Sequence, residues 1–397
     1  MDVVVVSQYL RDIENFDNNN SRFVYISRLL CDKGVNVEII TSDFDHSTKK
    51  HFGRVGCIEG ITVTALHESG YPKNVCLKRF ASHKELANNL KKYLSDRKKP
   101  DVLYVAVPSL DVAKVCSDYC NNSKVRFIID IQDLWPEAFK MVFNIPVLSN
   151  IIFAPMKAQA DYIYSAADEV IAVSKTYTER GMSVNKKCPM GHTVFLGTRL
   201  SIFDENAEEN KVERDTSFIR LGYCGTLGAS YDLTCVFDAL EIIIKRGKTP
   251  PKFIVMGNGP RKEEFEAYAL SKKLDVEFTG RMPYDQMCGM LRSCDIVVNP
   301  ITKGATGSII NKHADYAASG LPVINTQESA EYRDLVAKYN MGFNCENGNS
   351  EEVADRIIEL IEDEELRLTM GKNARRCAED RFDRKVSYLN IIKLIME

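Results

Sequence analysis

The chain has 397 residues, of which 45% are apolar and 27% are charged, and its formal net charge is −3. This composition is typical of a globular protein and excludes a disordered, collagen-like or coiled-coil chain. The charge balance gives no reason to expect a nucleic-acid partner, and no apolar run approaches the roughly 20 residues of a membrane-spanning helix. Twelve scattered cysteines, without a CxxC pair, predict free thiols and a cytoplasmic protein.

In the first half of the chain, short β-rich runs alternate with helical patterns. The predicted strands are Val3–Ser7, Val35–Thr41, Ile61–Ala65, Val102–Val107, Arg126–Asp130 and Glu169–Val173. The helical patterns between them cover Ser21–Lys33, Lys84–Arg97 and Leu110–Asn121. Continuous apolar strands separated by helices predict a parallel, doubly wound α/β sheet that is buried on both faces.

The second half repeats this alternation after a polar stretch, Asp204–Asp215, which has no periodicity and is predicted to be a linker. The strands are predicted at Ile219–Tyr223, Lys252–Met256, Val276–Thr279, Ile296–Asn299 and Pro322–Asn325. The helices are predicted at Leu233–Arg246, Lys262–Lys272, Tyr284–Ser293, Lys312–Ser319, Glu351–Glu362, Glu365–Arg376 and Asp383–Ile395. We therefore expect two Rossmann-like domains, residues 1–200 and 216–378, followed by a terminal helix within 379–397.

Missing motifs narrow the chemistry. No Gly-x-Gly-x-x-Gly follows the first strand, which argues against a dinucleotide-dependent oxidoreductase, and no GxxxxGK[ST] is present for P-loop phosphoryl transfer. Asp43-Phe44-Asp45 has the DxD pattern of metal-dependent sugar transferases, but it follows the second strand and is interpreted as a solvated loop. No His/Asp/Glu cluster has the sequence spacing of metal ligands, so no metal cofactor is expected.

Glycine-containing loops follow three consecutive strands of the second domain. They contain Gly225 and Thr226, then Gly257 and Gly259, then Gly280 with Arg281 and Met282. The carboxyl ends of parallel strands meet at one edge of a sheet, where doubly wound folds bind ligands. Backbone N–H groups in such loops can turn toward an anion. A purely structural glycine turn remains the alternative for each loop.

The strongest signal is the segment Gly304–Val323, in which a Gly/Ser-rich turn leads into a helix. The N-terminal amides at Ser308 and Ile309, with the helix dipole, favour a diphosphate. Lys312 could neutralise the phosphate, and Asp315, three residues later, could accept hydrogen bonds from ribose hydroxyls. The alternative is an ordinary ion pair between Lys312 and Asp315 on an exposed helix face.

The segment Ser308–Val323 resembles the corresponding element of GT-B glycosyltransferases, specifically the large retaining family 4. Three further stretches are similar to that family in the same order, Tyr223–Asp232, Met256–Pro260 and Thr279–Met282, and Asp130–Glu137 resembles an interdomain loop of bacterial polysaccharide transferases. The resemblance implies two Rossmann-like domains facing across a cleft, with the C-terminal domain holding the nucleotide sugar. It also implies that the final helix crosses back to the first domain.

The resemblance implies a retaining transfer of sugar from a nucleoside-diphosphate donor to a lipid-linked or saccharide acceptor, in surface polysaccharide assembly. Lys312, Arg281 and Asp133 are the candidate catalytic residues, and Arg22, Asp133 and Trp135 are the candidates on the acceptor side. For Asp133 the alternative is a loop cap, and for Trp135 it is core packing. A sugar-nucleotide 2-epimerase and a non-catalytic partner subunit remain alternative functions.

Gly307 stands where the family has a carboxylate that binds donor-sugar hydroxyls, so a pocket without that acid predicts an N-acetylated or 6-deoxy amino sugar on UDP. A second expectation concerns the surface of the first domain. Residues 70–99 hold nine Lys/Arg against two acidic residues, and Val142–Phe153 is apolar. Together these segments predict peripheral contact with an anionic membrane. A solvated helix face is the alternative.

Overall fold

Two units, each built on a parallel β-sheet, make up the computed structural model, which describes residues 1–10, 21–53, 56–74, 76–142, 148–213, 215, 217–305 and 309–397. Unit 1 contains residues 1–194 and 388–397, and unit 2 contains residues 195–387. Unit 2 thus begins at Phe195, before the stretch that was predicted to link the domains.

Unit 1 contains an eight-stranded sheet and a two-stranded ribbon. Its strands are β1 (Asp2–Val6), β2 (Asn36–Ser42), β3 (Phe44–Asp45), β4 (Lys50–His51), β5 (Cys57–Ile58), β6 (Ile61–Leu66), β7 (Val102–Val107), β8 (Arg126–Ile131), β9 (Glu169–Ala172) and β10 (His192–Thr193). The sheet order is β10-β9-β8-β7-β1-β2-β6-β5, and every neighbouring pair is parallel except β5–β6. The ribbon is the antiparallel pair β3–β4. Strands such as β1 and β7 are buried almost throughout, as their apolar runs predict.

Seven helices of unit 1 connect these strands. They are α1 (Arg22–Cys31), α2 (Leu77–Asp96), α3 (Leu110–Ser123), α4 (Glu137–Val142), α5 (Leu148–Ile152), α6 (Ala154–Ala166) and α7 (Lys175–Met182). Helix α2 begins seven residues before the predicted start at Lys84. The prediction missed its first turns, in which Leu77 and Phe80 are exposed.

Unit 2 contains a six-stranded parallel sheet. Its strands are β11 (Arg220–Cys224), β12 (Lys252–Met256), β13 (Val276–Gly280), β14 (Ile296–Asn299), β15 (Val323–Asn325) and β16 (Gly342–Asn344). The order β13-β12-β11-β14-β15-β16 corresponds to 3-2-1-4-5-6, the Rossmann order. The chain reverses direction across the sheet between β11 and β14, so the carboxyl ends of these two strands form the switch point at which such folds bind ligands.

The observed helices of unit 2 differ from two predicted segments, the linker Asp204–Asp215 and the terminal helix Asp383–Ile395. The helices are α8 (Leu200–Glu209), α9 (Leu233–Lys245), α10 (Lys262–Ser271), α11 (Tyr284–Arg292), α12 (Asn311–Ser319), α13 (Ala330–Tyr339), α14 (Ser350–Glu362), α15 (Glu364–Cys377) and α16 (Arg384–Ser387), with a π-helical turn at Ala378–Phe382. The predicted linker was wrong for residues 204–209, which belong to α8. Phe203 and Ala207 of α8 are buried, and the Asp204 carboxylate accepts hydrogen bonds from Arg375 at 2.7 Å. Asp204 is one of the acidic residues because of which this stretch was predicted to be a linker.

The last predicted helix, Asp383–Ile395, is interrupted at Tyr388, which separates α16 from the final helix, and the chain before α16 is held by Thr198. Thr198 pairs with the backbone on both sides of Asp383, since its N–H donates to the Phe382 carbonyl and its carbonyl accepts from the Arg384 N–H. The chain then forms α17 (Leu389–Met396), which lies in unit 1 and buries Ile391 and Ile395 there. All twelve cysteines are free. None of the helices in the described parts of the chain is long and apolar enough to span a bilayer.

Candidate functional site

Helix α12 lies over the switch point of unit 2 because one tyrosine anchors it to both strands. The Tyr316 hydroxyl accepts a hydrogen bond from the Cys224 N–H at the end of β11 and donates to the Val298 carbonyl of β14, both at 3.0 Å. Tyr316 is itself fully buried. The N-terminal turn of α12, which carries the positive end of the helix dipole, is thereby fixed above the carboxyl edge of the sheet.

The side chain of Lys312, in the first turn of α12, is enclosed by aromatic rings. The residue is only 7% exposed, and Nζ lies 4.5 Å from the centre of the Tyr223 ring and 4.0 Å from that of Tyr231. Among the described residues, no atom accepts a hydrogen bond from Nζ. The alternative of an exposed ion pair with Asp315 is therefore wrong.

Burial lowers the pKa of Lys312 to about 7. A buried ammonium without an acceptor is costly, and among the described residues the two ring faces are what replaces the lost hydration. An anion bound beside Nζ would restore a charge-assisted hydrogen bond and raise the pKa again. Lys312 thus has the environment of a cation that pairs with a ligand.

The glycine loops at this edge interlock through their backbones. The Gly225 N–H donates to the Met256 carbonyl at 3.0 Å, and the Leu227 N–H donates to the Asn258 carbonyl at 2.9 Å. A Cβ on Gly257 would lie 1.9 Å from the Gly225 carbonyl oxygen, and one on Gly259 would lie 2.2 Å from that of Leu227. Gly257 and Gly259 were predicted to bind the donor. The packing of the two loops by itself already requires glycine at both positions.

Gly225 itself faces the lysine. Its φ of +150° favours glycine, and a Cβ there would lie 3.0 Å from the Tyr223 hydroxyl and 3.4 Å from Lys312 Nζ. The Tyr223 hydroxyl donates to the carbonyl of the exposed Thr226 at 2.9 Å. The loop after β11 and the start of α12 therefore lie in direct proximity around Nζ.

Asp315 contacts a second tyrosine. The Tyr284 hydroxyl, on α11, donates to Asp315 Oδ1 at 2.9 Å and lies 2.9 Å from the Thr198 hydroxyl. Burial raises the pKa of Asp315 to about 6. Tyr284 and Thr198 were not predicted from the sequence as site residues. Tyr284 has one sequence signal, since it lies four residues after the end of β13 at the same sheet edge.

The remaining predicted donor-site residues lie at the same edge or outside the described residues. Gly280 ends β13 with a φ of +75°, a Cβ added to it would meet no atom of the described residues within 4 Å, and Arg281 beside it is exposed. Met282 is partly buried and Ile309 is buried. The predictions for Gly307 and Ser308 fall on residues outside the described ranges.

In unit 1 the structure gives the surroundings of Arg22, which was predicted on the acceptor side. Arg22 is buried, and its Nε donates to Asp130 Oδ2 at 2.7 Å while one terminal nitrogen donates to the Val194 carbonyl at 2.9 Å. The guanidinium also lies over the Tyr388 ring, at 4.8 Å from its centre. These contacts make Arg22 a residue of the unit 1 core rather than one that is free to bind diphosphate or acceptor.

Trp135 also belongs to the core. It is 6% exposed, and its ring stacks on His83 with centroids 5.9 Å apart while the Arg79 guanidinium lies 4.8 Å from its centre. Asp133 is partly buried, and its Oδ1 accepts from the Leu134 N–H at 2.9 Å and from the Tyr177 hydroxyl at 3.4 Å. Burial raises the pKa of Asp133. The first of these bonds is the local cap that was the alternative interpretation of Asp133.

Sequence reasoning also missed a row of asparagine side chains, of which Asn299 and Asn325 are fully buried. Asn299, Asn325 and Asn344 end β14, β15 and β16 in register. Asn299 donates to Asn325 Oδ1 and Asn325 donates to Asn344 Oδ1, each at 2.8 Å. His313 of α12 lies 3.1 Å from the Asn299 amide and accepts from the Ile310 N–H through Nδ1. This network fixes the first turn of α12, and the asparagine at each strand end was its visible signal.

Comparisons with known proteins agree with this geometry. Residues 204–377 match the family Glycosyl transferases group 1. An uncharacterized glycosyltransferase of Methanocaldococcus jannaschii, MJ1178, is 28% identical over 124 residues, which are 31% of this chain and 34% of that protein. The capsular polysaccharide biosynthesis glycosyltransferase CapM of Staphylococcus aureus is 24% identical over 232 residues, which are 55% of this chain and 59% of CapM. The matches thus span about a third to three-fifths of these relatives.

The solved structure of Anabaena Alr3699/HepE in complex with UDP superimposes with a TM-score of 0.71 at 16% identity and covers 100% of both chains. The same protein is also known in complex with UDP-glucose, with a TM-score of 0.67 to this chain. The likeness confirms the predicted GT-B fold with two Rossmann-like domains.

Proposed function

We propose that this chain is a glycosyltransferase that transfers a sugar from a nucleoside-diphosphate donor, with UDP favoured; its GT-B fold and the family that residues 204–377 match support this. The observation that carries the proposal is Lys312, a buried ammonium without an acceptor among the described residues at the Rossmann switch point. The complexes of HepE with UDP and UDP-glucose support the choice of nucleotide, and the name of CapM supports a role in surface polysaccharide assembly.

In the proposed reaction, which retains the anomeric configuration, the leaving diphosphate gains charge as the glycosidic C–O bond breaks. Lys312 and the amides at the start of α12 stabilise that charge. Asp315 binds the ribose hydroxyls, the backbone at Gly280–Met282 contacts the base, and Arg281 adds positive charge. Asp133 orients the acceptor hydroxyl in a lipid-linked or saccharide acceptor.

A donor screen in the presence of a chelator tests the function. We expect release of UDP that depends on an acceptor and continues without divalent metal, because lysine and helix amides supply the positive charge. From Gly307 we expect acetamido or deoxy-amino UDP-sugars to react faster than UDP-glucose or GDP-mannose. Faster turnover of the plain hexoses would contradict the inference from Gly307. Donor epimerisation without transfer would instead show a 2-epimerase, and no turnover at all would indicate a non-catalytic subunit.

The affinity for UDP should decrease as the pH rises from 7 to 9. Lys312, with a pKa of about 7, is protonated below that pH, and an adjacent diphosphate favours the charged form. Above pH 7, binding must therefore take up a proton, and the affinity falls by up to about tenfold per pH unit. Calorimetric titration at several pH values measures this. The Lys312→Met variant, which has no ammonium to titrate, is the control and should show a flat profile over the same range.

We further propose that unit 1 contacts an anionic membrane, where a lipid-linked acceptor is presented. Seven exposed lysines lie on or beside α2, namely Lys73, Lys78, Lys84, Lys91, Lys92, Lys98 and Lys99. Two of the nine basic residues do not contribute, because Arg97 pairs with Glu38 and Arg79 packs on Trp135. Leu77 is 87% exposed, and Ile151 and Ile152 are exposed, although residues 143–147 of the predicted apolar segment lie outside the described ranges.

Co-sedimentation with anionic vesicles tests this contact. Each basic residue near an anionic surface contributes roughly 1 kcal/mol. We expect binding at low salt that is lost when Lys78, Lys84, Lys91 and Lys92 are all replaced by Glu. The matched control replaces four exposed lysines of unit 2, Lys211, Lys245, Lys338 and Lys372, and should still bind. Equal binding by both variants, or none by the unmodified protein, would rule the contact out.

A further inference from the structure

We propose that Asp43, His51 and His67 of unit 1 form a binding site for a divalent transition-metal ion of the zinc type. The function is separate from sugar transfer, for which the proposed residues that hold the diphosphate lie in unit 2. The ligand atoms of these three side chains all lie within 4.8 Å of one another.

The fold brings the three residues together from distant sequence positions. Asp43 follows β2 and His67 follows β6, and these parallel strands are neighbours in the sheet with Ser42 opposite Leu66. The two side chains therefore start from the same carboxyl edge. His51 arrives from the ribbon, in which β4 pairs with β3 directly after Asp43. The spacings of 8 and 16 residues do not correspond to any short metal-binding motif, so no local sequence signal marks the site.

The geometry directs both imidazoles at one carboxylate. His51 Nδ1 lies 3.1 Å from Asp43 Oδ1, and His67 Nδ1 lies 2.8 Å from Asp43 Oδ2. The two rings stack with centroids 5.4 Å apart and an interplanar angle of 26°. The Glu68 N–H donates to Asp43 Oδ1 at 3.2 Å and holds the carboxylate in place. A hydrogen bond of this kind to a ligating carboxylate is the outer support that metal sites use.

The donor set determines the class of metal. Two imidazole nitrogens and one carboxylate suit Zn²⁺ and its neighbours Co²⁺ and Ni²⁺, whereas Mg²⁺ and Ca²⁺ prefer oxygen. The His51 and His67 side chains are 41% and 61% exposed, so an ion can enter from solvent. Asp43 and His67 also line a cavity of about 540 Å³ together with Asn89 and Lys92. Zn²⁺ held by three protein ligands would have a fourth position for water or an anionic ligand.

Metal binding by the full chain tests the proposal directly. The protein, stripped with chelator and dialysed, is titrated with Zn²⁺ by calorimetry and with Co²⁺ by visible absorption. We expect one equivalent of Zn²⁺ to bind, Co²⁺ to develop ligand-field bands, and Zn²⁺ to raise the melting temperature. In His51→Ala and His67→Ala the affinity for Zn²⁺ should fall. Loss of a residue that only supports a metal ligand lowers metal affinity by about 10- to 100-fold, and we expect a larger decrease here.

The matched control is His46→Ala. His46 lies five residues from His51 and is also an imidazole in the ribbon region, but its Nδ1 contacts the Tyr71 hydroxyl rather than Asp43. This variant should retain the zinc affinity of the unmodified protein. Should an alanine variant not melt cooperatively without metal, Asp43→Asn provides the second test, because it keeps the shape of the side chain and removes its charge.

Two results would overturn the proposal. One is the absence of saturable Zn²⁺ binding, which would show that Asp43 only accepts hydrogen bonds from two imidazoles. The other is unchanged affinity in His51→Ala, His67→Ala and Asp43→Asn. Neither result bears on sugar transfer, since the readout is metal uptake rather than turnover.

Discussion

Replacement of Lys312 by alanine should lower turnover by about ten- to a hundredfold. A charge-assisted hydrogen bond to the leaving diphosphate contributes about 1.5–3 kcal/mol, and each 1.4 kcal/mol of transition-state stabilisation is a factor of ten in rate. The structure makes the ammonium available for this contact, because no described residue accepts a hydrogen bond from Nζ. Steady-state UDP release from the best donor of the screen measures the effect.

The stability of the variants separates a binding role from a structural one. Lys312→Met keeps an unbranched apolar stem between the Tyr223 and Tyr231 rings and removes the buried charge, so its melting temperature should equal or exceed that of the unmodified protein. Lys338→Ala, at an exposed lysine of α13 in the same unit, is the control and should keep full turnover. A destabilised Lys312→Met with normal turnover would assign the lysine to packing instead.

The pH dependence of unfolding gives an independent check on the same side chain. The pKa of Lys312 is lowered from 10.5 to about 7 in the folded chain, so between these values the unfolded state binds more protons. The free energy of unfolding should therefore rise with pH across this window and be lowest below pH 7. Denaturant titration at pH 7 and pH 9 measures this rise in the unmodified protein and in Lys312→Met. The rise in the unmodified protein minus the rise in the variant is the contribution of Lys312.

The second large effect is expected for Gly257→Ala. Its Cβ would lie 1.9 Å from the carbonyl oxygen of Gly225, and a backbone atom cannot move aside by changing rotamer. Forcing extra volume into a packed contact costs about 1–3 kcal/mol, here together with displacement of the loop beside Lys312. We expect a lower free energy of unfolding and weaker UDP binding in the same variant.

Gly228→Ala is the matched control, since it lies in the facing loop and its Cβ would meet only the Thr226 methyl at 3.7 Å. That variant should unfold like the unmodified protein. If Gly257→Ala keeps the stability of the unmodified protein but loses UDP binding, then Gly257 contacts the ligand directly and is not needed for the loop packing.

The elements of the fold followed closely from periodicity, and the exceptions have physical causes. Buried strands such as Val102–Val107 and Ile296–Asn299 were predicted with their observed bounds. The predicted linker failed because Asp204 is charged yet paired with two arginines, which a hydrophobicity pattern does not reveal. The terminal helix was predicted as one piece, whereas the structure divides it at Tyr388 into α16 and α17.

Part of the candidate site could also be predicted from the sequence. Lys312 and Asp315 stood out because a glycine-rich turn precedes their helix. The rings that enclose Lys312 lie on and after β11, 89 and 81 residues earlier in the chain, so their role depends on the sheet edge that joins them. The ion pair between Arg22 on α1 and Asp130 on β8 joins residues that are 108 positions apart, so no local sequence pattern indicated it. Sequence spacing does not reveal contacts of this kind between segments that are far apart in the chain.

Calorimetric titration of UDP at pH 7 into the unmodified protein and into Lys312→Met tests the role of this lysine most directly. We predict saturable binding to the unmodified protein and an affinity about ten- to a hundredfold lower for the variant, at equal or higher melting temperature. Equal affinity of both proteins for UDP, or no binding to either, would contradict a diphosphate site built around Lys312.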